Sequence, residues 1–177
     1  MNLANRISIT RIMLVPFFVA SVVYSRFTLA LSIFVICIMS DALDGYIART
    51  KSQKTSLGAL LDPIADKLLL VSGFVSLSMI SDLPENLRFP PYVPLIVISR
   101  DLFMVLGCVV IYLLKGKLDI RPTYLGKATT FLQMMSIVSI LVHFHYSNVI
   151  WNIAVVFTVI SGLDYLRSGN RMLNGSH

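Results

Sequence analysis

The sequence has few charged residues. Asp, Glu, Lys and Arg make up 14% of its 177 residues, whereas soluble domains average roughly 25%. Apolar residues reach 56%, and the mean hydropathy is +0.78. No stretch is polar enough to form a separate soluble domain, so we expect a single membrane domain over residues 1–177.

Cysteine and histidine are also scarce, which argues against a metal or redox centre built from them. Cys37 and Cys108 lie in apolar stretches and lack the spacing of a metal-binding or redox motif. The three histidines form no plausible metal cluster. We also expect no cleavable signal peptide, because Arg11 interrupts the first apolar run and no small-residue cleavage site follows it.

Six apolar stretches are each close to the ~20 residues that a helix needs to cross a bilayer. We therefore predict an all-α integral membrane protein with six transmembrane helices. Residues 2–6 are a candidate for a short additional helix at the membrane interface. The predicted spans are 8–24, 28–48, 58–80, 92–114, 123–143 and 147–166.

The basic residues predict how these spans are oriented. With the N-terminus inside the cell, nine Lys and Arg residues fall on the cytoplasmic side, and only Arg26 and Arg88 fall on the other. This asymmetry is the positive-inside pattern, and it predicts cytoplasmic termini in a bacterial inner (plasma) membrane. Contact with a membrane surface, and not with nucleic acid, then explains the formal net charge of +6.

Four aspartates interrupt the apolar chain in DALDGYIARTKSQKTSLGALLDPIADK, residues 41–67. Asp41 and Asp44 are three residues apart and Asp62 and Asp66 four apart, so each pair shares one face of a helix. A carboxylate at bilayer depth costs at least ~2.5–3.5 kcal/mol, which implies a compensating charge. All-oxygen ligands suit two divalent cations, Mg²⁺ or Mn²⁺, which can polarise phosphate oxygens. The segment predicts a phosphoryl-transfer site between the second and third helices, on the cytoplasmic side.

Small residues and one arginine accompany the aspartates. Gly45 and Gly58 allow a bulky ligand or a neighbouring backbone to approach closely, and Ala48 leaves the same face open. Arg49 can bind a diphosphate through two parallel hydrogen bonds. A cation transporter, the non-enzymatic alternative, would also place carboxylates in helices, but it has no use for these residues at these offsets.

The spacing D-x-x-D-G-x-x-A-R, eight residues, then G-x-x-x-D-x-x-x-D resembles the signature of the CDP-alcohol phosphotransferase family. Members of that family move a phospho-substituent from a CDP-linked donor to an alcohol and release CMP. The N-terminal ANRISITRIMLVPFF looks like the family's first helix, and ISRD and GKATTFLQ look like its phosphatidyl-transferring branch. The resemblance therefore covers most of the chain.

The resemblance implies roles for individual residues and a homodimer. One cation would be bound by Asp41, Asp44 and Asp62. The second would be bound by Asp41, Asp62 and Asp66, with Asp66 also acting as the general base. The CDP part of the donor would be bound by Asn5, Gly45, Ala48, Arg49, Thr55 and Gly58.

Cationic residues at helix depth could bind the acceptor. Arg11, Arg100 and Lys127 are each costly in lipid unless they face a polar cavity, pair with an acid or reach the interface. Two interpretations stay open for them, a structural ion pair or interfacial position and a cationic pocket for a phosphorylated acceptor. Lys67 follows Asp66 directly and so points away from the aspartate face, which leaves both a structural and a functional role open.

We therefore expect a CDP-diacylglycerol-dependent phosphatidyltransferase of phospholipid biosynthesis, surrounded by membrane lipids. The expected acceptor is glycerol 3-phosphate, giving phosphatidylglycerophosphate and CMP. The family's glycerol 3-phosphate branch usually has Arg-Glu where this chain has Arg100 and Asp101, and Arg-Asp resembles its cardiolipin-forming branch. Phosphatidylglycerol is therefore the main alternative acceptor, followed by serine and inositol phosphate.

Overall fold

Six α-helices make up the part of the protein that its structure, a computed structural model, describes, and no β-strand occurs in that part. The backbone is described over residues 3–51, 56–80, 83–84, 87–115 and 124–174, and the side chains over 8–40, 64–80, 83–84, 87–106, 124–165 and 167. The helices are α1 (Leu3–Val23), α2 (Phe27–Lys51), α3 (Ser56–Met79), α4 (Tyr92–Lys115), α5 (Tyr124–Leu141) and α6 (Ser147–Asn174).

Each predicted apolar span corresponds to one of these helices, so the prediction of an all-α fold is confirmed. Helix α1 begins at Leu3 and continues without a break, so residues 3–6 belong to it and do not form a separate interfacial helix. No glycine or proline stands between them and the apolar run, so the residues that most readily end a helix are missing there. Helix α6 continues to Asn174, beyond the predicted end at 166, because backbone hydrogen bonding does not require apolar side chains.

The helices form two groups of three. Helix α1 packs against α2 and α3, and α6 packs against α4 and α5. Contacts of α3 with α4 and α5, and of α2 with α5, join the two groups. Phenylalanine rings fill the centre: Phe18 of α1 lies 5.5 Å from Phe34 of α2, and Phe74 of α3 lies 4.8 Å from Phe89, between ring centroids. The two helices that carry the aspartates are therefore both fixed against α1.

Two helix connections are tight turns of the same kind. Between α1 and α2, Ser25 has a φ of 54°, and the Arg26 N–H donates to the carbonyl of Ser21 at 2.8 Å. Between α5 and α6, His143 has a φ of 55°, and the residue after it makes the equivalent bond at 2.8 Å. This is the Schellman arrangement with a non-glycine residue in the left-handed position. It turns each helix sharply back along its neighbour.

Buried polar side chains join α5 to α6. Nε2 of Gln133 donates to Oγ1 of Thr158 at 3.1 Å, and Oγ1 of Thr129 donates to the carbonyl of Phe157 at 3.2 Å. The Gln133, Thr158 and Thr129 side chains are fully buried. Hydrogen bonds of this kind between helices are typical of proteins packed inside a membrane.

Among the described residues, one helix is long and apolar enough to cross a membrane: Ser147–Tyr165, with 19 residues. Ser8–Val23 and Phe27–Ser40 are apolar but shorter. Large apolar side chains also lie exposed on the outer surfaces of the bundle, for example Phe17 on α1 and Phe103 on α4. The described helices thus show one candidate span and apolar outer surfaces, and the other five spans stay a prediction.

Candidate active site

The four signature aspartates lie on α2 and α3. Asp41 is ten residues before the end of α2 and Asp66 ten residues after the start of α3, which is ~15 Å along each helix. Asp44 and Asp62 are seven and six residues from the same helix ends, which is ~10 Å and ~9 Å. Because only residues 52–55 connect α2 to α3, and both helices pack against α1, we expect them to run antiparallel with their aspartates at matching depths.

Asp66 is the signature aspartate whose side chain is described. Its Oδ1 accepts a hydrogen bond from Nη1 of Arg11 in α1 at 2.5 Å, which makes a salt bridge. The Arg11 side chain is 1% exposed and that of Asp66 29%. A buried guanidinium needs a counter-ion, and the fourth aspartate of the signature provides it. The pair fixes α1 to α3 at the depth of the predicted site.

Helix α2 approaches this pair through Cys37. The Cys37 side chain is buried and lies within electrostatic range of both Arg11 and Asp66. Asp41 follows Cys37 by four residues, about one helical turn further along α2. Helices α1, α2 and α3 therefore converge at the depth of Asp66, and the first predicted metal ligand of α2 is one turn away.

The chemistry of the aspartate set fits hard divalent cations, since carboxylate oxygens are the ligands that Mg²⁺ and Mn²⁺ prefer. The Asp41, Asp44 and Asp62 side chains lie outside the described residues. Among the side chains that are described, no three His, Cys, Asp or Glu residues lie together in a way that could hold a metal ion. The two-cation assignment to these three aspartates and Asp66 therefore stays a prediction.

For the residues predicted to bind the donor, the structure describes only the backbone, and for one of them not even that. Thr55 falls in the segment between α2 and α3, outside the described residues. Gly45 and Gly58 lie inside helices, which agrees with a role in close approach and not in a turn. Nothing is described of these side chains, so donor binding stays a prediction. The helical members are Asn5 on α1, Gly45, Ala48 and Arg49 on α2, and Gly58 on α3.

A second charged cluster joins α3, α4 and α6. Oδ2 of Asp101 accepts a hydrogen bond from Nζ of Lys67 at 2.5 Å, and Oδ1 accepts one from Nη1 of Arg100 at 2.8 Å. Nη2 of Arg100 donates to Oγ of Ser161 in α6 at 2.7 Å. The Asp101 and Arg100 side chains are 8% and 6% exposed, whereas that of Lys67 is 37% exposed. The structure therefore shows the ion-pair interpretation of Arg100.

The three predicted acceptor cations lie in three different settings. Arg11 is buried against Asp66, and Arg100 is buried against Asp101. Lys127 is exposed on α5. An exposed ammonium can move toward a ligand at little cost, whereas a buried, paired guanidinium would have to share or leave its carboxylate partner. Binding of the acceptor by any of the three stays a prediction.

The Lys67–Asp101 ion pair is a feature of the structure that the sequence did not predict. The sequence did contain an indication of it, because Lys67 and Asp101 have opposite charges, lie in consecutive apolar helices, and are each costly in lipid without a partner. Their meeting depends on how α3 and α4 are rotated about their axes, which side-chain packing decides. Spacing along the chain, 34 residues in this case, does not contain that information.

The aspartate spacing on two helices predicts a transferase for substituted phosphate groups. Comparison with known sequences identifies the family, because a profile of the CDP-alcohol phosphatidyltransferases matches residues 1–160. The chain belongs to the CDP-alcohol phosphatidyltransferase family. The predictions of the family and of an enzyme are confirmed.

Similar proteins carry names from two branches of this family. A protein of Aquifex aeolicus named CDP-diacylglycerol–glycerol-3-phosphate 3-phosphatidyltransferase is 28% identical, with 98% of each chain covered. A Rickettsia bellii protein of the same name is 33% identical, with 94% of each chain covered. The human protein named cardiolipin synthase (CMP-forming) is 27% identical over 96% of this chain and 62% of its own length. The names agree with the predicted acceptor and with its main alternative.

Proposed function

We propose that this enzyme transfers the phosphatidyl group of CDP-diacylglycerol to glycerol 3-phosphate, giving phosphatidylglycerophosphate and CMP. The Arg11–Asp66 pair carries the proposal, because it holds the fourth signature carboxylate against α1, the helix that also packs against α2 with its two signature aspartates. Family membership supports the donor class, and the names of the Aquifex and Rickettsia relatives support the acceptor. Membership of a transferase family also speaks against a cation transporter.

The chain's own residues account for the proton in the proposed reaction. Asp66 accepts the proton of the acceptor hydroxyl as that oxygen forms a bond to the phosphatidyl phosphorus. The bond from this phosphorus to the bridging oxygen of the diphosphate breaks, and CMP leaves with its electron pair. Arg11 orients the Asp66 carboxylate through Nη1 and balances its charge.

Two divalent cations, Mg²⁺ or Mn²⁺, would be held by Asp41, Asp44, Asp62 and Asp66. When bound, these cations would neutralise negative charge on the phosphate oxygens of the donor. The set is typical of such cations because it offers carboxylate oxygens on two helices whose aspartates we expect at matching depths. Arg11 also balances part of the negative charge of this set, through its salt bridge to Asp66.

The donor and acceptor would lie on either side of Asp66. Arg49 would fork onto the diphosphate, and the absence of large side chains at Gly45 and Gly58 leaves room for it. On the acceptor side, Lys127 is exposed and free to approach the phosphate as a point charge. Asn5, Ala48 and Thr55 complete the proposed donor site, and Arg11 and Arg100 the proposed acceptor site.

The proposed reaction takes place at a membrane. We place all six helices across it, with both termini and the aspartates toward the cytoplasm. Exposed apolar side chains on the outer helix surfaces and the asymmetry of the basic residues support this arrangement. The proposed assembly is a homodimer, which light scattering of the detergent-solubilised protein would test.

Purified protein would test the reaction and its acceptor together. We expect labelled CDP-diacylglycerol with Mg²⁺ or Mn²⁺ to release CMP when glycerol 3-phosphate is added, and not when phosphatidylglycerol, serine or inositol phosphate replaces it. Use of phosphatidylglycerol in place of glycerol 3-phosphate would favour cardiolipin synthesis, which the Arg100-Asp101 pair and the human relative also suggest. Absence of CMP with every acceptor would contradict the proposed reaction.

A further inference from the structure

Asp101 of α4 is bound to cations that belong to different parts of the bundle. One oxygen binds Arg100 of its own helix, and the other binds Lys67 of α3. The Lys67–Asp101 bond therefore crosses from the α1–α3 group to the α4–α6 group. Within the described side chains it is the ion pair that connects the two groups.

Helix α3 is held at two successive residues. Asp66 is bound by Arg11 of α1, and Lys67 is bound by Asp101 of α4. Successive residues of a helix point roughly 100° apart, so the two bonds hold α3 from different directions. A rotation or a slide of α3 would break at least one of them. The place of the Asp66 carboxylate is thus coupled to the bond of Lys67.

Asp101 is also held in place by Arg100, which is itself bound to α6. Nη1 of Arg100 binds its Oδ1, and Nη2 of the same guanidinium binds Ser161 of α6. The stem of Arg100 lies close against α6, where a Cβ atom on Gly162 would stand 3.5 Å from Cγ of Arg100. Asp101 therefore connects α3 to a buried and hydrogen-bonded anchor, and not to a mobile surface charge.

We propose that Asp101 is a positioning residue for the transfer reaction: it fixes α3 through Lys67 and so sets the place of the Asp66 carboxylate. This inference rests on the proposed function. A displacement of about 1 Å near reacting groups can lower a rate by about a hundredfold. Because Asp101 acts through α3, its loss changes kcat and leaves the KM of CDP-diacylglycerol nearly unchanged.

Asp101→Asn tests the inference, since it keeps the size of the side chain and removes its charge. Per folded enzyme, kcat falls by at least about tenfold while both KM values stay within about threefold. Asp101→Glu keeps a carboxylate that can bind both cations, and its kcat stays within about threefold of wild type. Asp164→Asn is the matched control on α6: Asp164 has no ion pair among the described residues, and kcat stays within about twofold.

Lys67→Met tests the same bond from α3. Lys67 is partly exposed, and its loss leaves the Arg100–Asp101 pair complete, so this variant folds even where Asp101→Asn does not. Its kcat falls as far as that of Asp101→Asn. The kcat of the double variant, Asp101→Asn with Lys67→Met, is no lower than that of the slower single variant, because both changes break the same Lys67–Asp101 bond. Unfolding temperatures measured on every variant give the fraction of folded enzyme.

Two results would overturn the positioning role. The first is a kcat per folded enzyme that stays at the wild-type value in Asp101→Asn and Lys67→Met. The second is a change confined to the KM of glycerol 3-phosphate, which would make Asp101 part of the acceptor site. Both differ from a failure of the proposed function, in which the wild-type enzyme itself would release no CMP and the positioning role would be rejected with it.

Discussion

Among the side chains that the structure describes, the buried charged residues are bound to residues of opposite charge. Arg11 pairs with Asp66, and Asp101 pairs with both Arg100 and Lys67. Removing one member of a buried pair leaves the other charge uncompensated, which typically costs 3–5 kcal/mol. A substitution here can therefore reduce activity through folding alone. The unfolding temperature of each variant with a substitution in these pairs therefore has to be measured beside its activity.

Asp66→Asn is expected to reduce kcat by at least ~10²-fold, the lower end of typical general-base contributions. Donor affinity should fall less than in Asp41→Asn, because the other three aspartates can still hold one cation. Steady-state kinetics with CDP-diacylglycerol would measure both quantities. Asp164→Asn, the same change of side chain at a position on α6, is the control. Loss of cation and donor binding with otherwise normal chemistry would make Asp66 a ligand only.

Asp41→Asn, Asp44→Asn and Asp62→Asn should each abolish turnover and leave the helical fold intact. Each removes one negative charge from a site whose carboxylates balance two divalent cations. CMP release measures turnover, and circular dichroism measures helix content. Near-normal activity in any of the three variants would count heavily against the two-cation assignment.

Lys127→Ala is expected to raise the KM of glycerol 3-phosphate and to leave that of CDP-diacylglycerol nearly unchanged, because an exposed ammonium beside the site would bind the acceptor phosphate. Arg26→Ala, which removes an exposed cation at the opposite end of the helices, is the matched control. Arg100→Ala should raise the same KM, with its unfolding temperature compared because it also removes a partner of Asp101. An unchanged KM in Lys127→Ala would remove Lys127 from the acceptor site.

The sequence predicted which residue types make up the site, but not how they are arranged in space. The spacing of the aspartates and of Gly45, Arg49 and Gly58 was visible in the chain and led to the family that the profile match confirms. The partners of the buried charges could not be derived, since they depend on the rotation of each helix. Arg11, for example, is bound to Asp66, a partner that the positions of the two residues along the chain do not indicate.

At the scale of the helix, the apolar runs predicted all six elements but not where α1 begins and α6 ends. Hydropathy reports which residues can enter a membrane, and a helix can continue well past them, as α6 does. Packing between helices was also beyond the sequence. Gly73 of α3 illustrates this, because a Cβ placed there would lie 2.8 Å from Cδ1 of Ile137 in α5 and 3.6 Å from the Phe18 ring in α1.

Gly73→Ala should therefore be less stable than Gly162→Ala. Both changes gain the ~1 kcal/mol by which alanine is favoured over glycine in a helix. At Gly73 the new methyl group must displace the fully buried Ile137, whereas at Gly162 it makes an ordinary contact with Arg100. Overpacking of this kind costs roughly 1–3 kcal/mol. Equal unfolding temperatures for the two variants would show that Ile137 and α5 can move to make room for the new methyl group at no cost in stability.

At the scale of the whole molecule, the two groups of three helices must take up one orientation in the membrane. We expect the α1–α2 turn to face away from the cytoplasm and the end of α6 to face into it. In a protein whose Cys37 and Cys108 are replaced by alanine, an impermeant maleimide should label Tyr24→Cys on intact cells. Arg167→Cys should react only after the cells are opened. The reverse pattern would invert the proposed topology.

The ion pairs also bear on the order in which the chain can be built into a membrane. Arg11 emerges from the ribosome 55 residues before Asp66, and Lys67 emerges 34 residues before Asp101. Until its partner follows, each charge is costly in lipid, so we expect α1 to remain at the insertion machinery until α3 arrives, and α3 until α4 arrives. Nascent chains arrested at increasing lengths should resist alkaline extraction only once the partner helix has left the ribosome. Biogenesis would then proceed by release of helices in sets and not one at a time.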